Sequence, residues 1–297
     1  MSRRIVSTHR MLSLALCAAG ATLVATACTK KSSAPSPTSS GKSVAAPNGA
    51  PPAGKHAVDS LPKVNGHPPE AAKMLGQILH DNAAFVRSHP PAYFDRFKDQ
   101  QHPRATVVAC ADSRFHTHAI DLAADDDIFM IRNIGNVVDT VGGSVEYGVR
   151  HLHTPLLIII GHVRCGSVKA AMTDYEGESM AIRREVDALH LSLLRTNATG
   201  SLDDQWRANV VGNVNQQVRY AMRAFAPELR AGTLSVAGAV YDFRDELKQG
   251  PGKVVIVNIN GETDRAKLDA HPLYRAAVEF ATKPAQARPA PAGSAGH

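Results

Sequence analysis

Residues 106–114 read TVVACADSR, and this stretch decides the fold. A continuous run of mostly β-branched apolar residues leads directly into a cysteine, an aspartate and an arginine. Residues 156–165 read LLIIIGHVRC and repeat the pattern, with a histidine and a cysteine after the apolar run. Such runs are typical of strands that are covered on both faces, as in parallel sheets. Because ligands bind outside the carboxyl ends of parallel strands, both polar groups are expected at one edge of one sheet.

Strand-like runs and helical patterns alternate along the middle of the chain. Strands are predicted at 105–109, 128–132, 156–160, 233–241 and 253–259. Helices are predicted at 70–88, 144–152, 166–172, 178–194 and 203–225. The alternation predicts a single α/β domain with a central, mostly parallel β-sheet flanked by helices.

Cys110, His162 and Cys165 offer two thiolates and one imidazole, a ligand set that suits Zn²⁺, with Asp112 and Arg114 beside them. Structural zinc sites are normally closed by four Cys or His ligands, whereas catalytic sites keep one position for water or substrate. Three ligands with a neighbouring carboxylate therefore indicate a catalytic site that holds one zinc ion.

Two other interpretations of these residues stay open from the sequence. Cys110 and Cys165 could form a disulfide if the protein is exported to an oxidising compartment. Asp112 could do no more than cap the turn that follows it. The presence of His162 and Arg114 favours the metal site, since a disulfide requires neither of them.

The amino-terminal region has the features of an export signal. Arg3, Arg4 and Arg10 precede an apolar stretch at 11–24, and small residues then lead to Cys28. This order is typical of a secretory signal peptide, and Cys28 after Ala-Thr-Ala resembles a bacterial lipobox, which predicts a lipidated Cys28 and a periplasmic or cell-envelope location. Ordinary cleavage with an incidental Cys28 is the alternative. The predicted organisation is a lipoprotein signal peptide at 1–27, a disordered tether at 28–62, the folded domain at 63–282 and a disordered tail at 283–297.

Five motifs in order make the chain similar to the β-class carbonic anhydrases. The family carries Cys-x-Asp-x-Arg, Arg-Asn-x-x-Asn, Ser-x-Glu-Tyr, His-x-x-Cys-Gly and Gly-x-x-Tyr-Asp, found here at 110–114, 132–136, 144–147, 162–166 and 238–242. Ala111 and Ser167 depart from the usual Ser and Gly, and neither is a ligand position. The resemblance covers nearly the whole predicted domain.

The resemblance also implies roles for individual residues. Cys110, His162 and Cys165 would bind zinc, with Asp112 and Arg114 as the catalytic pair beside the metal. In this family the aspartate alternatively closes the site as a fourth ligand when its bond to the arginine breaks. Substrate-pocket positions fall on Gln101, Phe129, Ile134, Tyr147 and Gly166. Val107 stands where the bicarbonate-regulated subclass has tryptophan, which favours the plant-type subclass.

The function implied is the zinc-dependent, reversible hydration of CO₂ to bicarbonate and a proton by an exported, lipid-anchored enzyme. The resemblance implies a homodimer or a larger homo-oligomer in which Gln101 and Phe129 reach a neighbour's pocket. A CS₂ or COS hydrolase on the same scaffold and a non-catalytic zinc-binding lipoprotein are the alternatives. The formal net charge of +6 comes without a Lys/Arg cluster interleaved with aromatic residues, so no nucleic-acid partner is expected.

Overall fold

Five strands form one sheet in the computed structural model, which describes residues 66–283. In chain order they are β1 (Ala105–Cys110), β2 (Ile128–Asn133), β3 (Leu156–His162), β4 (Ser235–Asp242) and β5 (Lys253–Ile259). The order across the sheet is β2-β1-β3-β4-β5, with β1 to β4 parallel and β5 antiparallel to β4. The predicted mostly parallel sheet is confirmed.

Helices precede, separate and follow these strands, as expected for the predicted α/β class. They are α1 (Pro69–Ser88), α2 (Pro91–Asp95), α3 (Gly142–Glu146), α4 (Gly166–Ala171), α5 (Met180–Thr196), α6 (Leu202–Ala224), α7 (Ala226–Ala231), α8 (Arg265–Ala270) and α9 (Pro272–Thr282). No helix within residues 66–283 has the length and apolar content that a membrane span requires. The predicted signal peptide, the tether and the tail beyond Lys283 lie outside the described residues.

The side chains of β1 alternate between two buried layers. Val108 and Cys110 belong to clusters that also contain apolar residues of α6. Val107 and Ala109 pack with residues of β3 and β4 in a separate cluster. Both faces of the strand are therefore covered, which explains why its sequence is apolar throughout rather than alternating.

Helix α6 lies unusually close to the sheet. Val210, Val214 and Val218 follow one another at a spacing of four and are almost completely buried. A Cβ atom on Gly161 of β3 or Gly238 of β4 would lie 2.7 Å from a methyl group of Val214. Only glycine leaves room for this approach, and the close packing fixes α6 against the strand that ends at the candidate site.

The structure departs from several of the predicted elements. The helix predicted at 144–152 is α3 followed by a π-helical turn over Tyr147–His151. Strand β4 starts at Ser235 rather than at residue 233, because Gly232 ends α7 in the left-handed region and the Thr233 N–H then donates to the Glu228 carbonyl. Helices α2, α7 and α8 were not predicted, since five or six residues give little periodic signal. Helix α9, of eleven residues, was also not predicted, although its sequence is amphipathic.

Gly135 lies two residues beyond the end of β2, beside the end of β1, and leaves no room for a side chain. Its φ is +82°, and an added Cβ would lie 2.6 Å from Cδ1 of Leu189 on α5. The left-handed backbone and the clash together predict that Gly135→Ala lowers the free energy of unfolding by about 3 kcal/mol. Urea denaturation of Gly135→Ala, Leu189→Ala and the double variant measures it. The double variant should be more stable than the sum of the single losses predicts, and simple additivity would contradict the clash.

Candidate metal centre

Three buried ligand residues meet at the carboxyl ends of β1 and β3. Cys110 ends β1, His162 ends β3, and Cys165 directly precedes α4. Their ligand atoms all lie within 4.8 Å of one another. Within residues 66–283 this is the one group of at least three Cys, His, Asp or Glu residues with metal-binding geometry. The structure thus brings together the three residues that the sequence assigns as ligands.

His162 presents a nitrogen that lacks a partner in the protein. Its Nδ1 atom lies 2.9 Å from the carbonyl oxygen of Val163, a bond in which Nδ1–H donates and Nε2 keeps its lone pair. Nε2 is buried without a hydrogen-bond partner, and the Oδ2 atom of Asp112 is 3.6 Å away. A buried acceptor without a partner is costly. A metal ion held between this nitrogen and the two sulfurs would satisfy it, so the residues fit Zn²⁺.

Cys110 and Cys165 are both free and buried. Their sulfur atoms are 3.9 Å apart, whereas a disulfide requires about 2 Å. The hydrogen bond from the Cys110 thiol, supported by Ser167, lowers the pKa of Cys165 to about 6. The same bond and burial raise the pKa of Cys110 to about 12. A cation bound between the two sulfurs would favour the thiolate form of both.

Asp112 and Arg114 form a two-pronged ion pair beside the ligands. Nε of Arg114 donates to Oδ1 at 2.8 Å and its Nη2 donates to Oδ2 at 2.6 Å. This bonding holds the pKa of Asp112 well below its usual range, so the carboxylate is ionised. The backbone N–H of Arg114 also donates to Oδ1 at 2.9 Å. Asp112 therefore both caps the turn and pairs with the arginine, so the two interpretations of its role are compatible.

Arg132 fixes the loop that carries this pair. Its Nη2 atom donates to the carbonyl oxygens of Cys110, Asp112 and Phe115 at 2.8, 2.8 and 2.5 Å. One partly buried guanidinium thereby satisfies three carbonyl groups where the chain leaves β1. The next residue, Asn133, closes the following turn through a bond from the Val137 N–H. Arg132 and Asn133, at the end of β2, thus fix the two backbone turns beside the ligands.

The expected pocket residues divide between the two ends of the sheet. Ile134 follows the last residue of β2 and Gly166 follows Cys165, so both lie at the metal edge. Phe129 pairs in register with Thr106, four residues before Cys110, which places it about 13 Å from that edge. Tyr147 packs on Phe129 with ring centroids 5.9 Å apart, and Gln101 is exposed ahead of β1. The protomer does not bring these three residues to its own ligands. Cys28 lies outside the described residues.

The structure adds Phe243 and Trp206 to the site, which sequence reasoning missed. Phe243 directly follows β4 and lies under the guanidinium of Arg114, 4.8 Å from its ring centroid. Its ring also stacks on that of His162 at 6.3 Å. Trp206, the single tryptophan of the chain, donates from Nε1 to the Cys165 carbonyl at 2.9 Å. Phe243 adjoins the Tyr-Asp motif, a signal that was available, whereas nothing local links Trp206 to the ligands.

Comparison with known proteins agrees with this geometry. Residues 105–254, about half of the chain, match the family model described as carbonic anhydrase. The carbonic anhydrase of Mycolicibacterium smegmatis is 34% identical over 204 residues, which cover 64% of this chain and 98% of that protein. Carbonic anhydrase 2 of Mycobacterium tuberculosis is 30% identical over 189 residues, covering 61% of this chain and 91% of that protein.

Solved structures show the same fold. One of the tetrameric β-carbonic anhydrases of Sordaria macrospora superposes with a TM-score of 0.55 at 20% identity, over 64% of this chain and 98% of that one. The Coccomyxa β-carbonic anhydrase superposes with a TM-score of 0.52 at 22% identity, over 74% of this chain and 100% of that one. The family match spans both ligand motifs and strands β1 to β4, and the chain therefore belongs to the carbonic anhydrase family, with the fold of its β class.

Proposed function

We propose that this chain hydrates CO₂ reversibly to bicarbonate and a proton with one zinc ion per subunit. The observation that carries the proposal is the buried, unpartnered Nε2 atom of His162 facing two free cysteine sulfurs. Zn²⁺ held by these three atoms would act as a Lewis acid that makes water nucleophilic near neutral pH, as is known for carbonic anhydrases in general. The orientation of the attacking water would depend on the residues around the ligands.

Asp112 is the group placed to orient the attacking water. Its Oδ2 atom lies 3.6 Å from the ligand nitrogen of His162, within reach of a molecule bound beside that nitrogen. An ionised carboxylate accepts a hydrogen bond, so it would turn a lone pair of the water oxygen towards the carbon of CO₂. Arg114 keeps Asp112 ionised and holds both of its oxygens. With a metal ion bound, this pairing would also keep Asp112 from becoming a further ligand.

We also propose a homo-oligomer in which Gln101, Phe129 and Tyr147 line a neighbour's pocket. Helix α1 supports an interface, because it has no buried residue and its apolar residues are all exposed. Apolar surface of this extent on one helix is typical of an association site. Sedimentation of the purified protein tests the association, and a monomer at micromolar concentration would contradict it.

The subclass and the location are proposals that rest on sequence. Val107 in place of tryptophan supports the plant-type, unregulated subclass. The arginines before residue 11, the apolar stretch and Cys28 support export and lipidation of Cys28 in the cell envelope. Mass spectrometry of the amino-terminal peptide from bacterial membranes tests the anchor, and an unmodified peptide that starts elsewhere would exclude it.

Stopped-flow measurement of CO₂ hydration tests the activity directly. Zinc-loaded protein should catalyse hydration at pH 7 and at pH 8.5, and protein stripped by a chelator should regain activity when zinc is returned. Loaded protein that hydrolyses COS or CS₂ without hydrating CO₂ would replace the proposed substrate. Loaded protein inactive towards all three would indicate a non-catalytic zinc-binding protein.

A further inference from the structure

Arg164 occupies a strained position between two of the ligands. It lies in the turn from His162 to Cys165 with a φ of 56°, in the left-handed region that long side chains rarely adopt. Such a conformation persists only where the surroundings hold it. The side chain of Arg164 is accordingly held by several partners.

Two carboxylates and an aromatic ring hold the guanidinium. Asp203 on α6 accepts bonds from both terminal nitrogens at 2.6 and 2.8 Å, and Glu246 accepts from Nε at 2.5 Å. The guanidinium also lies over the ring of Trp206 at 5.0 Å. Glu246 is the firmer anchor, since its side chain is 11% exposed and that of Asp203 is 64% exposed.

The loop that carries Glu246 is itself fixed. Asp242, fully buried at the end of β4, accepts backbone N–H bonds from Arg244, Glu246 and Leu247 at 3.1, 3.0 and 2.6 Å. The anchor of Arg164 is therefore attached to the sheet through a closed loop. A side chain held in this way cannot relax without breaking charge-assisted bonds.

The backbone of Arg164 connects this anchor to the catalytic pair. Its carbonyl oxygen accepts a bond from Nη2 of Arg114 at 3.1 Å. The same Nη2 donates to Oδ2 of Asp112 at 2.6 Å. The orientation of the Arg164 carbonyl thus helps to set where the guanidinium of Arg114 lies, and through it the carboxylate of Asp112.

We propose that Arg164 is a positioning residue whose anchoring to Glu246 and Asp203 keeps Arg114 on Asp112 and thereby keeps Asp112 away from the metal. The proposal rests on the proposed zinc chemistry at this centre. Oδ2 of Asp112 is only 3.6 Å from Nε2 of His162, so a small side-chain rotation would bring it into the position that a metal on that nitrogen offers. Loss of the anchor frees the carbonyl, weakens the hold on Arg114 and favours this closed arrangement.

Cobalt-substituted protein provides a readout that is independent of catalysis. Azide added to the cobalt form should change the visible spectrum when the fourth position is exchangeable, and should bind more weakly when Asp112 occupies it. We expect Arg164→Gln to raise the azide concentration for half-maximal change by about tenfold to a hundredfold, with a matching loss of CO₂ hydration. Arg164→Lys keeps the charge but lacks the planar guanidinium that binds two carboxylates. Its azide concentration for half-maximal change should lie between those of the wild type and Arg164→Gln.

Arg265→Gln is the matched control. Arg265 on α8 likewise binds a carboxylate (Asp269), a backbone carbonyl (Ile256) and an aromatic ring (Tyr274), but away from the ligands. The Arg265→Gln variant should bind azide as tightly as the wild type. Urea denaturation shows whether each variant is folded. Should Arg164→Gln misfold, Glu246→Gln tests the same link.

The outcomes separate the positioning role from the function itself. Wild-type protein that hydrates CO₂, with variants at Arg164 and Glu246 that bind azide as tightly as wild type, would overturn the positioning role alone. Wild-type protein that neither hydrates CO₂ nor responds to azide would overturn the proposed function and the positioning role together. An equal loss of azide affinity in Arg265→Gln and Arg164→Gln would overturn the positioning role, because the loss would then reflect general destabilisation of the protein.

Discussion

Cys165→Ser should remove zinc from the protein and reduce CO₂ hydration by more than about a thousandfold. Enzymes commonly accelerate their reactions a millionfold or more, and here that acceleration would depend on the metal. Serine matches cysteine in shape, but its hydroxyl does not ionise near neutral pH and is a poor ligand for zinc. Metal analysis of the purified variant, together with stopped-flow assays, measures both effects.

Ser167→Ala is the control for this change. It removes the hydroxyl that lies 3.1 Å from the Cys165 sulfur and leaves all three ligands in place. We expect it to retain about one zinc per chain and to lose about tenfold to a hundredfold in activity at most, well short of the loss in Cys165→Ser, because only a hydrogen bond to a ligand is removed. Cys165→Ser protein that keeps a full equivalent of zinc and wild-type activity would disprove the ligand assignment.

Asp112→Asn should give a folded, zinc-containing protein whose kcat/KM is lower by about 100-fold to 10,000-fold, because the carboxylate that would accept a hydrogen bond from the attacking water is lost. Asparagine has nearly the same shape as aspartate. Its uncharged amide has one acceptor oxygen in place of the two of the carboxylate. Its NH₂ group would therefore face one of the N–H donors of Arg114. Zinc content at wild-type level combined with this loss would assign Asp112 to the reaction rather than to metal binding.

Arg114→Lys completes the test of the catalytic pair. Lysine preserves the charge but cannot reproduce the two parallel bonds to Oδ1 and Oδ2 of Asp112. The variant should lose less activity than Asp112→Asn, because the carboxylate itself remains. Wild-type kcat/KM in Asp112→Asn would show that the carboxylate plays no part in the reaction.

Local sequence predicted the strands well, because a buried strand is recognised by a short apolar run. Strand β5 begins and ends at the predicted residues, and β1 and β3 begin where expected. Helix α8 was missed because its six residues give little periodic signal, and α9, of eleven residues, was missed although its sequence is amphipathic. They depend on caps, with Asp264 and His271 accepting the Lys267 and Leu273 N–H groups. Capping contributes through single hydrogen bonds and leaves no periodic pattern.

The ligand set could be predicted because it depends on strand ends. Parallel strands bring their carboxyl ends together, so Cys110 and His162 had to meet once both runs were assigned to neighbouring strands. No comparable rule predicts where the pocket residues lie relative to the ligands. Phe129 lies in the correct strand but at its opposite end, a distance that only the register with β1 reveals.

The sequence by itself determined the α/β class, and it predicted Cys110, His162 and Cys165 as metal ligands with Asp112 and Arg114 as the pair beside them. These depend on local patterns and on a rule about strand ends. Only the tertiary structure decided that the two cysteines are free, that Nε2 of His162 has no partner, and how the pair is held. The contacts of Arg164 with Asp203 and Glu246 join residues 39 and 82 positions apart. No local pattern encodes such contacts, because they arise only when α6 and the loop after β4 pack beside the same strand end.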